Sequence, residues 1–586
     1  MRNLGGGARE GKAHVSGAKA PVKGQRVMPA LKCRPIEGGA AARQFRLLFR
    51  VFLMRVVDLE MLSADGDTSR LVAQFVSIFA GISFALSVPM VMLVGVNLGL
   101  LTPEHFFIAN TILASGIVAV LTWDAALPDK RDALVLGPLP VRSHVVFAAK
   151  IAAALTAPAL AVAALNSCCG LLWPLLLGEH GQGFLHMMRA YPAYWIAVPA
   201  AGVFVFCALL MAQGLMANLL PRQVSLRLSP VVQAMVLCVS VVGYFVEPSL
   251  ESTAALSAGA NHRVLEWLPA YWFLGMFQQL NGTMSASLVW LAHRAWWALA
   301  ISVAGACGTM LLAYVRMMPR VMEQPEIVPA KRLRWILRLG DSLTTAVTLF
   351  SLRTLLCSRQ HRMILSFYLG IGLAVVAAYA DVRTARTPAG AAGISREALF
   401  VSMLLIALSM MAMRVVAALP IALKANWIFR VTEVRGPQAY RAAVRRSWFV
   451  LGTATVGAAI AAALFAMYLW RPVVEHLVVA GLLALLLVEV LVRGFGKVPF
   501  ACSYLPGKPN IHIAFWVSLI LGLWALDAAA KFELRMLAHV GNWAWMVGGL
   551  AAAVALLRWM PWPGVARESI RYEEEYPPVV TSLNLG

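Results

Sequence analysis

The chain has 586 residues, 60% of them hydrophobic and only 13% charged. A soluble domain is about half apolar and about a quarter charged, so long apolar blocks with so little charge exclude an ordinary soluble fold and indicate a polytopic membrane protein. The net charge of +22, from 50 Lys and Arg against 28 Asp and Glu, would suggest nucleic acid in a soluble protein. Here the basic residues sit mostly in alternate loops, as membrane orientation requires, and no nucleic-acid partner is expected.

Residues 1–42 are rich in Gly, Ala, Lys and Arg without a periodic pattern, which predicts a disordered basic tail. Gly6 to Lys12 fits the GxxxxGK half of a phosphate-binding loop, but Ala13 follows where Ser or Thr is needed and no strand precedes it, so the match is read as chance. Residues 43–60 predict an amphipathic helix lying on the membrane surface. Leu47, Leu48, Val51 and Met54 share one face, and Arg43, Arg46 and Arg50 another.

A membrane helix needs about 20 apolar residues. Such stretches occur in the first half at 71–95, 107–123, 146–177, 193–219, 230–246 and 287–314, and in the second at 364–381, 397–420, 448–469, 473–493, 512–529 and 541–559. That makes about twelve spans. Lys and Arg concentrate in the 123–145 loop, the 220–229 loop, the central linker, the 421–447 loop and the 494–511 loop. By the positive-inside rule these face the cytoplasm, and so do both termini. Residues 382–396, with Arg383, Arg386 and Arg396, are the exception on the opposite side. The 8 cysteines lie mostly inside apolar stretches and form no CxxC pair, so they read as small core residues rather than disulfides or metal ligands.

The predicted fold is all-α, two pseudo-repeated six-helix halves at 43–314 and 345–560. A cytoplasmic linker at 315–344, marked by Pro325, Pro329 and a Lys-Arg cluster, joins them, and a cytoplasmic tail occupies 561–586. Each half opens on a basic surface helix, 43–60 and then 345–362. Trp123, Asp129 and Arg131 match Trp427, Glu433 and Arg435 in spacing, and internal duplication is a common way to build transporters.

The stretch from Trp123 to Lys150 is longer than a simple turn requires. It can hold a short helix from Asp132 to Leu136, closed by Gly137, Pro138 and Pro140. A polar, structured cytoplasmic loop of this kind suits docking to a partner.

Several segments resemble the permeases of type-2 ATP-binding-cassette (ABC) exporters, in a fused form with both membrane halves in one polypeptide. The loop pattern D-x-L-x-x-x-P-[VL]-x…K of that class is matched by Asp132, Leu134, Leu139, Pro140, Val141, Arg142 and Lys150. An external L-P-x-x-W…G segment is matched by Leu268, Pro269, Ala270, Tyr271, Trp272 and Gly282. Residues 426–433 and 499–508 add to the likeness in the second half, whose own loop lacks the Leu-Pro-Val signature. The resemblance implies a permease subunit in a bacterial inner membrane that moves an unidentified substrate outward. Aromatic, Met-rich spans suit amphipathic cargo, although buried helices look the same.

On this likeness, two copies of a separate ATPase subunit, carrying ATP and Mg, would bind the cytoplasmic face, and this chain would hold no cofactor and perform no catalysis. The docking residues implied are Asp129, Arg131, Asp132, Leu134, Pro140 and Arg142, with Glu433, Arg435 and Arg441 in the second loop. Charges there would set register across an interface, or simply hold the loop in the cytoplasm. Trp267, Tyr271, Trp272, Phe273 and Phe277 would form an interfacial helix where substrate leaves.

The alternatives are an ion-coupled secondary transporter and a non-transporting membrane scaffold. A coupled carrier usually needs a buried carboxylate at membrane depth. The ionisable residues noted within spans are His293, Arg294, Arg414, Glu489 and Asp527, and each can reach a helix end or a local partner such as Lys531. There is no HExxH and no GxSxG. His180 and His186 around Glu179 make a weak metal candidate, and Asn281-Gly282-Thr283 is a chance glycosylation sequon.

Overall fold

The computed structural model describes residues 38–57, 68–94, 101–123, 126–127, 132, 135–136, 139, 141–177, 184–247, 256, 261–283, 288–323, 341–382, 393–419, 437–493, 498–502, 511–537 and 540–560. Every regular element among them is an α-helix, and no strand occurs among them. The first group comprises α1 (Gly38–Val57), α2 (Thr68–Val94), α3 (Leu101–Leu121), α4 (Ser143–Leu165), α5 (Cys169–Leu177), α6 (Phe184–Leu219), α7 (Arg222–Val246), α8 (Pro269–Asn281) and α9 (Val289–Glu323). The second comprises α10 (Ser342–Cys357), α11 (Arg359–Val382), α12 (Arg396–Ala417), α13 (Pro437–Met467), α14 (Trp470–Val492), α15 (Ile511–Leu537) and α16 (Val540–Trp559).

Nine helices among the described residues are long and apolar enough to cross a membrane: α3, α4, α6, α7, α9, α11, α12, α13 and α14. Their outward faces carry large apolar side chains, such as Val231, Met235 and Val239 on α7 and Trp297 and Ile301 on α9. In water such surface would drive association, whereas in hydrocarbon it is already at rest. The chain is therefore a helical membrane protein. Helices α2, α15 and α16 occupy the three other stretches where spans are expected.

Small residues set the closest helix contacts. On α4, Ala149, Ala153, Ala157 and Ala161 recur every four residues and are all at most 1% exposed. That spacing puts them in one row along the helix, and α1 and α2 lie against it through Phe52, Leu53 and Phe75. In α1 the buried side is built from Phe45, Leu48, Phe49, Phe52 and Leu53. Arg43, Arg46 and Arg50 are exposed as expected, but so are Leu47 and Val51, which were expected on the apolar face. The helix is rotated so that its phenylalanines take the protein contact.

The two groups of helices meet chiefly where α7 lies along α11. The Cys238 thiol donates to the Ser366 carbonyl at 3.1 Å across this contact. A Cβ placed on Gly370 would stand 3.2 Å from the Cys238 Cα, so glycine allows the two backbones to approach. Val120, Leu237, Val241 and Met363 fill the space beside it.

The expected single span at 146–177 is broken. Helix α4 ends at Leu165, a turn covers 166–168, and α5 resumes at Cys169. Asn166 at the break is buried. Its amide donates to Thr111 Oγ1 at 3.0 Å, and its carbonyl oxygen accepts from the Tyr194 hydroxyl at 2.8 Å. The backbone N–H of Cys168 donates to Ser83 Oγ at 3.1 Å. The Ser83 hydroxyl takes up a backbone N–H at the turn, and Thr111 and Tyr194 satisfy the Asn166 amide, as apolar surroundings require. The second surface helix also differs from its expected range of 345–362: α10 ends at Cys357, and Ser358 separates it from α11.

Candidate functional site

The loop after α3 is pinned at two described points. Trp123 is 1% exposed. Its indole N–H donates to Ser229 Oγ on α7 at 2.9 Å, and its carbonyl accepts from Gln213 Nε2 on α6 at 3.0 Å. Further along, Asp132 Oδ2 accepts from Lys150 Nζ on α4 at 2.7 Å, and each side chain is only 8% exposed. Lys150 Nζ also stands 5.7 Å from the centre of the Phe52 ring on α1. The first and last residues of the loop pattern, Asp132 and Lys150, thus close on each other beside α1.

This arrangement separates the docking candidates. Asp132 faces inward and spends its charge on Lys150. Arg142, at the entrance to α4, is exposed, with its carbonyl accepting from the N–H of Val145 at 2.9 Å. Arg441 is half-buried in the first turns of α13. Asp129, Arg131, Leu134, Pro140, Glu433 and Arg435 lie outside the described residues, as do the Gly6–Lys12 match and His180 and Glu179.

The aromatic segment forms α8, wedged among α3, α6 and α9. Tyr271 and Phe273 are fully buried, and Trp272 is half-buried with its indole donating to the Leu265 carbonyl at 2.9 Å. Trp267 is 84% exposed. The segment is therefore a buried short helix with one projecting tryptophan. Pro269 starts it, and Gly282 ends it in the left-handed region at φ 82°. Asn281 is buried, so its side chain is not presented as a glycosylation acceptor.

Ionisable residues converge inside the second group of helices. Glu489 on α14, 2% exposed, accepts from Arg445 of α13 at 3.2 Å and from Arg558 of α16 at 3.1 Å. Asp527 pairs with Arg396 and with Lys531, the latter at 2.7 Å. A third cluster joins three helices: Ser402 Oγ of α12 lies 2.5 Å from His476 Nε2 of α14, and His476 Nδ1 lies 2.9 Å from Glu533 Oε1 of α15. Sequence reasoning missed this last group. His476 stands inside the expected span 473–493, which was the available signal. Glu533 falls beyond the expected end at 529 and is buried because α15 continues to Leu537.

No group of three or more His, Cys, Asp or Glu among the described residues could hold a metal ion. Comparison with protein-family models, curated proteins and solved structures returned no match.

Proposed function

We propose that the chain is the membrane-spanning permease subunit of an ABC exporter, built as two six-helix halves with cytoplasmic termini in a bacterial inner membrane. The loop of residues 123–142 receives a separate ATPase, two copies of which act on the chain. The observation that supports this most is the Asp132–Lys150 ion pair. An ordinary connecting loop has no need of a buried charge pair, whereas a loop that transmits force must be fixed to the helices it moves. Asp132 fastens it to α4 and Trp123 fastens it to α6 and α7, leaving Arg142 outward for a partner. Contact between the groups chiefly through one long helix pair among the described residues, α7 on α11, suits two bodies that rock against each other.

The test is affinity purification of the full chain in mild detergent. The reading expects an ATPase with a complete phosphate-binding loop to copurify, and Arg142→Glu to reduce its recovery. Its absence under several gentle conditions would count against the proposal. One observation favours the second reading, an ion-coupled carrier: Glu489 and Glu533 are carboxylates buried within the helices. Cargo movement driven by a pH gradient without ATP would support that reading instead.

A further inference from the structure

Helix α1 has two unlike sides. Phe45, Leu48, Phe49, Phe52 and Leu53 pack toward α4, and the Phe52 ring centre stands 5.7 Å from Lys150 Nζ. The opposite side carries Arg43, Arg46, Leu47, Arg50 and Val51, all exposed. Leu47 is 67% exposed and Val51 49%. A helix turns by about 100° per residue. The three arginines therefore share one edge of the exposed side, and Leu47 and Val51 share the other.

That division suits the boundary between lipid headgroups and acyl chains. Helix α1 is not among the nine helices long and apolar enough to cross a membrane. Its contact with Lys150 sets it near the end of α4 where that span begins, at His144. Water gives no reward for turning Leu47 and Val51 outward, whereas acyl chains accept them. Arginine carries its charge on a long apolar stem, and its forked guanidinium takes phosphate oxygens in pairs. The helix contains four arginines in all and no acidic residue. A zwitterionic headgroup cancels its own phosphate charge, so the excess positive charge of α1 favours a lipid whose phosphate charge is left uncompensated.

We infer that the exposed side of α1 binds anionic phospholipid, with Arg43 and Arg46 on the headgroup phosphates and Leu47 and Val51 against the acyl chains. The packing of the phenylalanines on α4 is what turns Leu47 and Val51 outward to do so. This binding depends neither on the cargo nor on how transport is driven.

The test places a photoreactive amino acid at Leu47 of the full chain, in nanodiscs of phosphatidylglycerol and phosphatidylcholine in equal amounts, and identifies the trapped molecule by mass spectrometry. Phosphatidylglycerol should exceed phosphatidylcholine by at least about fivefold, the effect of one arginine at an anionic surface. The same probe at Val239, 68% exposed on α7, should trap the two lipids about equally. Arg43→Gln with Arg46→Gln should bring the ratio at position 47 close to equality while lipid is still trapped. Should that variant fail to assemble, about 0.5 M salt, which screens charge within a few ångströms, should lower the ratio in the chain that keeps its arginines. Equal trapping of the two lipids at position 47 would overturn the inference. So would an excess of phosphatidylglycerol that survives the double substitution or the salt, or trapping of a protein segment there in place of lipid.

Discussion

Asp132 and Lys150, separated by a loop and the first turns of α4, meet through a 2.7 Å ion pair that is almost wholly shielded from solvent. A buried pair is weak evidence of net stabilisation, since both charges lose their hydration, but breaking one side strands the other. Asp132→Asn or Lys150→Met alone should lower stability by about 3 to 5 kcal/mol. The double change Asp132→Leu with Lys150→Met should recover most of that loss. Thermal unfolding in detergent of the two single variants and the double variant gives the coupling.

The α7–α11 contact depends on backbone approach at Gly370. Gly370→Leu should cost about 1 to 3 kcal/mol, because the added side chain must displace Val241 and the Cys238 backbone. The expected signature is a split melting transition, in which the two helix groups no longer unfold together.

Glu489 has two arginine partners of unequal worth. Arg445 is 20% exposed and Arg558 58% exposed. Arg445→Met should therefore cost about 3 kcal/mol, as for loss of a buried partner, and Arg558→Met under about 1 kcal/mol. Comparing their unfolding temperatures in one detergent checks the ordering.

At the start of α10, Asp341 caps the helix, with Oδ1 accepting from the Thr344 N–H at 3.3 Å. Hydrogen bonding to Thr344, with a smaller contribution from Arg446, holds its carboxyl below the usual range. A lowered folded value means the cap contributes fully above the ordinary carboxylate range and is lost as pH falls through that folded value. The protection factors of the first α10 amides, taken relative to intrinsic exchange at each pH, should fall on acidification in the native chain, and Asp341→Asn should remove that pH dependence.

Much of the architecture was legible in the sequence because apolar length alone identifies a membrane helix. Hydrophobic patterning located α6, α9 and α14 without knowledge of their neighbours. It could not show the break at Asn166, since the stretch stays apolar on both sides and the partners, Ser83, Thr111 and Tyr194, come from other helices. Loop length and the Asp132…Lys150 pattern drew attention to this segment. The inward turn of Asp132 was not legible, because pairing across 18 residues depends on the path of the loop. Glu533 escaped for a related reason: Asp527 and Lys531 look like the polar end of a span, yet Asp527 pairs with both Lys531 and Arg396 while the helix runs on.

The central claim is that the pinned loop receives an ATPase, and photocrosslinking from position 142 tests it most directly. A photoreactive amino acid replacing Arg142 in the full chain should trap a protein with a complete phosphate-binding loop. The same probe replacing the exposed Trp297 on α9 should not. Failure to trap such a protein from position 142, or equal trapping from both positions, would contradict the account.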